Sequence, residues 1–200
     1  MENKILLFNR WDLSDVKVGD AGLRGQINLK PVLVPRSAGR FATKEFHKNK
    51  MSIVERFINR LRVPGHRGRK HQITSGRCPE NTMAITSALI GAFDIIQKKT
   101  KQNPVQTLVK AIENSAMLEE VAAYRLGGII ARKAVIVSPR RRLDLALRFL
   151  TQGIYKKGFK TGRCLSEVIA EELLAAAEGD TKSFAISEKN RLEREAEGAR

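Results

Sequence analysis

Along most of this 200-residue chain the apolar positions recur every three or four residues, the period of a helix that buries one face. The first such stretch opens at Ser52. Ser52-Ile-Val-Glu55 has the spacing of a capping box, and Ile53, Val54, Phe57, Ile58 and Leu61 form a single stripe. That stripe puts Arg56 and Arg60, one turn apart, together on the outer face, where like charges repel. Val63-Pro-Gly65 ends the helix. Helical spacing resumes over 82–100 through Ile85, Leu89, Phe93 and Ile96. It restarts at Asn103-Pro104, a capping side chain followed by a proline that loses no hydrogen bond at the first helical position, and carries Val105, Leu108, Val109 and Ile112 inward. A helix from about 165 to 177 stops at Gly179. The segment 187–198 reads as a charged terminal helix with little apolar face, exposed or docked on another surface.

Two regions break this pattern. Residues 1–50 carry Pro31, Pro35 and several glycines around short apolar clusters with no period, which predicts an irregular extension with at most one short strand, draped over a partner. Residues 121–150 hold two β-branched apolar runs split by Gly127 and Gly128. Both glycines can take the positive φ of a primed turn, so a β-hairpin is expected at about 121–137. Ser138-Pro139 then starts a helix with Leu143, Leu147 and Leu150 facing the core. The predicted fold is mainly α: a bundle of about six helices over 51–200, with a protruding hairpin and the 1–50 extension.

The first turn of that helix is Arg140-Arg-Arg142, at the end where the macrodipole disfavours cations. A polyanion is the candidate compensation. The chain's charge of +16 is concentrated in two places: residues 36–77 hold 12 basic and 2 acidic groups, and residues 125–163 hold 11 and 1. Such segments form the footprint of a phosphate polymer. Aromatic content of 6% is too low for a base-stacking sheet, so recognition is expected through phosphates and shape.

Other chemistry finds little support. No apolar run is long enough to span a membrane, the N-terminus lacks a signal-peptide core, and two cysteines give no disulfide framework, so a cytoplasmic protein is expected. His66, His71, Cys78 and Cys164 lack the paired spacing of a zinc site. There is no P-loop, no nucleophile elbow, and Glu171-Glu172 point about 100° apart on a helix. No catalytic residue, metal or cofactor is therefore expected. A basic DNA-binding architectural protein is the alternative to an RNA-binding one, although no helix-turn-helix is visible.

Several motifs bear a family likeness. Ile53-Val-Glu-Arg56, Phe93-Asp-Ile-Ile96, Thr100-Lys-Gln-Asn-Pro-Val-Gln-Thr-Leu-Val109, Ala111-Ile-Glu-Asn114, Ala134-Val-Ile-Val-Ser-Pro-Arg-Arg-Arg-Leu-Asp-Leu-Ala-Leu-Arg148, Ala170-Glu-Glu-Leu-Leu-Ala-Ala-Ala177 and Ser183-Phe-Ala-Ile186 resemble, in that order, segments of the small-subunit ribosomal protein seven family. Phe8-Asn-Arg-Trp-Asp12 and Ile27-Asn-Leu-Lys-Pro-Val32 resemble the N-terminal extension of its archaeal members. Ala116-Met-Leu-Glu119 departs from the turn common in the family, residues 63–81 are atypical, and the terminal helix is more acidic.

The resemblance implies a structural constituent of the small ribosomal subunit. It would bind the 3′ major domain of the subunit's rRNA, support assembly of the head and lie near the exit-site tRNA and the mRNA exit, beside other head proteins and the platform protein numbered eleven. It would not be a homo-oligomer. The expected RNA-binding residues in the first basic segment are Arg36, Arg40, Lys44, Lys48, Lys50, Arg56, Arg60, Arg67, Arg69 and Lys70. Those in the second are Arg140, Arg141, Arg142, Arg148, Lys156, Lys157, Lys160 and Arg163. The hairpin residues Arg125, Gly127, Gly128, Arg132 and Lys133 would approach the tRNA and mRNA path.

Overall fold

A computed structural model describes residues 5–64 and 81–200. Its elements, in order, are α1 (Ala21–Arg24), a 3-10 turn (His47–Lys50), α2 (Ile53–Arg62), α3 (Thr82–Thr100), α4 (Pro104–Ser115), β1 (Glu119–Leu126), β2 (Ile129–Ile136), α5 (Pro139–Gly158), α6 (Leu165–Glu178) and α7 (Phe184–Glu197). The protein is thus mainly α with one hairpin, as the periodicity predicts. Helix α6 is the axis of the bundle, with α3, α4 and α5 all packed on it. Its alanines let neighbours come close, while Val168, Ile169 and Leu173 are fully buried, each worth about 1.5–3 kcal/mol.

Helix boundaries follow local chemistry. The Asn103 side chain accepts from the Val105 N–H with Pro104 at the first position, and Gly179 closes α6 in the left-handed conformation at φ +77°. Ser138 and Ser52 sit at the N-cap positions of α5 and α2, but neither side chain makes a capping bond. The expected capping box at Ser52 is absent because Glu55 turns away to accept both the N–H and the hydroxyl of Ser37, at 2.7 and 2.6 Å. Those bonds pull the chain before α2 across that helix.

Within the 1–50 segment, expected to drape over a partner, the stretch 7–27 packs on this chain's own core, while Leu33, Val34 and Phe46 stay exposed. Leu7, Trp11, Leu13, Val16, Leu23 and Ile27 are buried in the same cluster as the helices. Trp11 stands edge-on to Phe93 with ring centroids 5.3 Å apart, and its Nε1 donates to Gln97 Oε1 at 2.8 Å. Further along, Gln106 of α4 exchanges two bonds with the backbone of Lys17, and Glu113 accepts from the Gly19 and Asp20 N–H groups. Side chains of α4 thus supply hydrogen bonds that an aperiodic backbone cannot make with itself.

The hairpin begins two residues earlier than expected and pairs Glu119 with Ile136 through to Leu126 with Ile129. Gly127 and Gly128 have φ of +54° and +95°, the two positive values that a tight primed turn requires. Its base is docked: Val137 N–H donates to Leu118, Ala134 N–H donates to Ala199, and Arg200 pairs with Glu119. Toward the tip Tyr124, Ile129 and Ile130 are exposed. The terminal helix α7 is docked as well, burying Ala185, Ile186 and Ala196 against the chain itself.

Candidate nucleic-acid interface

The two basic segments meet along α2 and α5. Asp144 of α5 receives Arg56 of α2 at 2.9 Å and Lys48 of the 3-10 turn at 2.7 Å, both on Oδ1. Farther along, Tyr155 of α5 donates to the Leu61 carbonyl at the end of α2. Contacts therefore advance in the same sense on both helices, which run in one general direction. The loop before the 3-10 turn closes over their N-terminal halves, where Arg140 lies over the Phe46 ring at 4.7 Å. Arg40, Lys44 and Lys50 are exposed on this loop and turn, Arg36 just before them, and Arg148 on the outer side of α5.

Several of the expected RNA-binding residues have partners within the protein. Arg142 is buried: its Nη2 pairs with Asp20 at 2.7 Å and its Nε donates to the Met117 carbonyl at 3.1 Å. It clips the N-terminal extension and the approach to the hairpin onto α5. Burial alone would raise the Asp20 carboxyl. The hydrogen bonds from Arg142 and the Gly22 N–H, with the Arg142 charge, outweigh it and hold the group below the ordinary carboxylate value. Arg141 pairs with Glu120 at 2.7 Å. The arginine triplet is thus compensated within the protein, by a carboxylate, a second carboxylate and an aromatic face, and its position at a helix start does not by itself require a polyanion.

Arg56 is likewise not on an outer face beside Arg60. It is 3% exposed, because the extension covers the side of α2 that periodicity marks as polar, and the Gln26 carbonyl accepts from Arg56 Nη1. Burial lowers the pKa of Arg56, with Asp144 opposing it. Arg60 is half-buried and is lowered by burial and by the nearby Arg148 charge. Burial would raise Asp144, but the bonds and charges of Lys48 and Arg56 bring it below the usual range.

At the other end of α5, about 24 Å from Arg140 at 1.5 Å per residue, the cations face the acidic helix α6. Lys157 pairs with the fully buried Glu172 at 2.7 Å, and Arg163 pairs with Glu171 at 2.6 Å. Lys156 lies over Phe184 and Lys160 over Phe159, both lysines remaining exposed. On the hairpin, strand alternation puts Arg125 and Arg132 on one face and Lys133 on the other, all exposed. Arg67, Arg69 and Lys70, with His66, His71 and Cys78, lie outside the described residues. Sequence reading missed Asp144, Phe41, Phe46 and Met51 at this face. Asp144 had a signal, as the one acidic residue between 125 and 163.

Fold, charge and hairpin together define the class: a basic, mainly helical scaffold with a projecting β-hairpin. Similarity then gives the family. Residues 23–200 match the model of ribosomal protein S7p/S5e. Small ribosomal subunit protein uS7 of Nanoarchaeum equitans is 44% identical over 197 residues, covering 98% of this chain and 100% of that protein. The proteins of the same name from Methanothermobacter thermautotrophicus and Methanoregula boonei are 42% and 40% identical, over 97% and 100% of this chain and 98% and 92% of theirs. This chain belongs to the ribosomal protein S7p/S5e family. It is a structural protein of the small subunit of the cytoplasmic ribosome and not an enzyme.

Proposed function

We propose that this protein binds the 3′ major domain of small-subunit rRNA, helps the head of the subunit assemble, and holds its hairpin near the exit-site tRNA and the mRNA exit, beside other head proteins and the platform protein numbered eleven. One copy serves each subunit. The observation that carries this reading is the convergence of two distant basic segments on the α2 and α5 side, with Arg36, Arg40, Lys44, Lys50 and Arg148 turned outward. Lys156 and Lys160 extend the contact at the far end of α5, where Arg163 keeps an exposed guanidinium. Arg56 supports this face from inside. The exposed hairpin tip, with Arg125 and Arg132 on one face, suits a probe held away from the anchor.

Crosslinking the chain in cell extract and sequencing the attached RNA tests the assignment. Crosslinks are expected within the 3′ major domain, with a hairpin-tip crosslinker reaching tRNA or mRNA. Crosslinks spread over unrelated messages or DNA would overturn it. If about six phosphates are neutralised, affinity falls roughly 10³-fold between 50 and 200 mM salt.

A further inference from the structure

Between the loop 39–42, the 3-10 turn, α2 and α5 lies a cavity of about 460 Å³, within the range of small-ligand sites at about 300–1,000 Å³. Its lining includes the apolar side chains of Phe41, Met51 and Leu147. It also includes the cations Lys48, Arg56, Arg60 and Arg148 and a single carboxylate, Asp144. Four cations against one anion leave an excess of three positive charges. Arg56 and Arg60 each bury an Nε that has no hydrogen-bond partner among the described residues, and the Arg56 side chain is only 1% exposed. A guanidinium N–H withdrawn from water without an acceptor is costly, and the cost is relieved when an anion enters.

We infer that this cavity receives one unstacked nucleotide of the bound RNA, its phosphate against Arg60 and Arg148 and its base on Phe41, Met51 and Leu147. An inorganic anion would satisfy the charges and leave the apolar side chains uncovered; a lipid or apolar peptide would do the opposite. A nucleotide carries both chemistries in one molecule. Unstacked bases are also the part of RNA that proteins grip most specifically, by stacking and edge contacts. This inference rests on RNA being the polyanion, as proposed above, and specifies what part of it enters.

The test uses the full chain and a 3′ major domain RNA fragment, with photoactivatable benzoylphenylalanine replacing the exposed Asn59 at the cavity. One nucleotide is expected to dominate the crosslinks. RNA made abasic at that nucleotide, with its phosphate intact, is expected to bind about tenfold more weakly. Phe41→Ala should weaken intact RNA to a similar extent and have no further effect on the abasic RNA, while Phe41→Tyr restores binding. Phe41 lies on a loop outside the helices and is only partly buried, so helical circular dichroism should be unchanged. Tight binding with scattered crosslinks, or equal affinity for abasic and intact RNA, overturns the cavity and leaves RNA binding standing. No binding by the unsubstituted chain overturns both. Loss of the crosslink on adding micromolar free nucleoside monophosphate would give the cavity to a free nucleotide and overturn the inference.

Discussion

Helix α5 carries an arginine triplet and, farther on, a lone arginine beside Arg60 of α2, two groups of cations that look alike in sequence and differ in what they touch. In its first turn Arg141 and Arg142 are neutralised by Glu120 and Asp20, and Arg140 rests on Phe46. Two turns later Arg148 faces Arg60 with Asp144 already occupied by Lys48 and Arg56. The first group holds the extension, the hairpin base and α5 together. The second leaves uncompensated charge around a cavity. A basic segment is therefore not a uniform surface: cations with internal counterions build the fold, and cations without them are left for a ligand.

The sharpest way to break this contrast is Arg142→Ala. It leaves Asp20 and the Met117 carbonyl without their partner at a largely buried junction, and a loss of about 3 kcal/mol in unfolding free energy is expected. RNA affinity per folded molecule should hardly move. Denaturant unfolding and filter binding on the same preparation check both halves. A large loss of affinity with unchanged stability would mean that Arg142 belongs to the interface after all.

Acid probes the Arg142 junction with a smaller expected effect. The folded Asp20 carboxyl titrates below its unfolded value of about 3.9, so on acidification the unfolded chain takes up the proton first. Its stabilisation is complete above about pH 5 and is lost as pH falls through the folded value. Asp20→Asn should remove about 1 kcal/mol at pH 7 and flatten the acid limb of stability against pH. An unchanged acid limb would show that the Arg142 pair does not anchor the extension.

What could be read from sequence was local. Asn103-Pro104, Gly179 and the Gly127-Gly128 turn each declare themselves within a few residues, and the structure places all three where expected. Arg142 could not be sorted from Arg148 that way, since its partner Asp20 is 122 residues distant. Arg56 was misplaced for a related reason. Periodicity identifies the apolar side of α2, but a polar side can also be buried when an aperiodic segment with its own acceptors lies across it. The Gln26 carbonyl and Ser37 come from such a segment.

Arg148→Gln makes the smallest change in stability and the cleanest cut in function. Arg148 is exposed and has no ion pair among the described residues, while its charge disfavours the protonated form of half-buried Arg60. Removing it takes away that repulsion and no ion pair among the described residues, so unfolding free energy should stay within about 0.5 kcal/mol of the parent. RNA binding should weaken, and the slope of log affinity against log salt should fall by about one, the signature of one lost phosphate contact. Arg141→Gln is the matched control. It removes an exposed arginine of the same helix that Glu120 already neutralises, so its salt slope should stay near the parent value. Equal losses of slope in the two variants would mean that internal pairing does not decide which arginines reach the RNA.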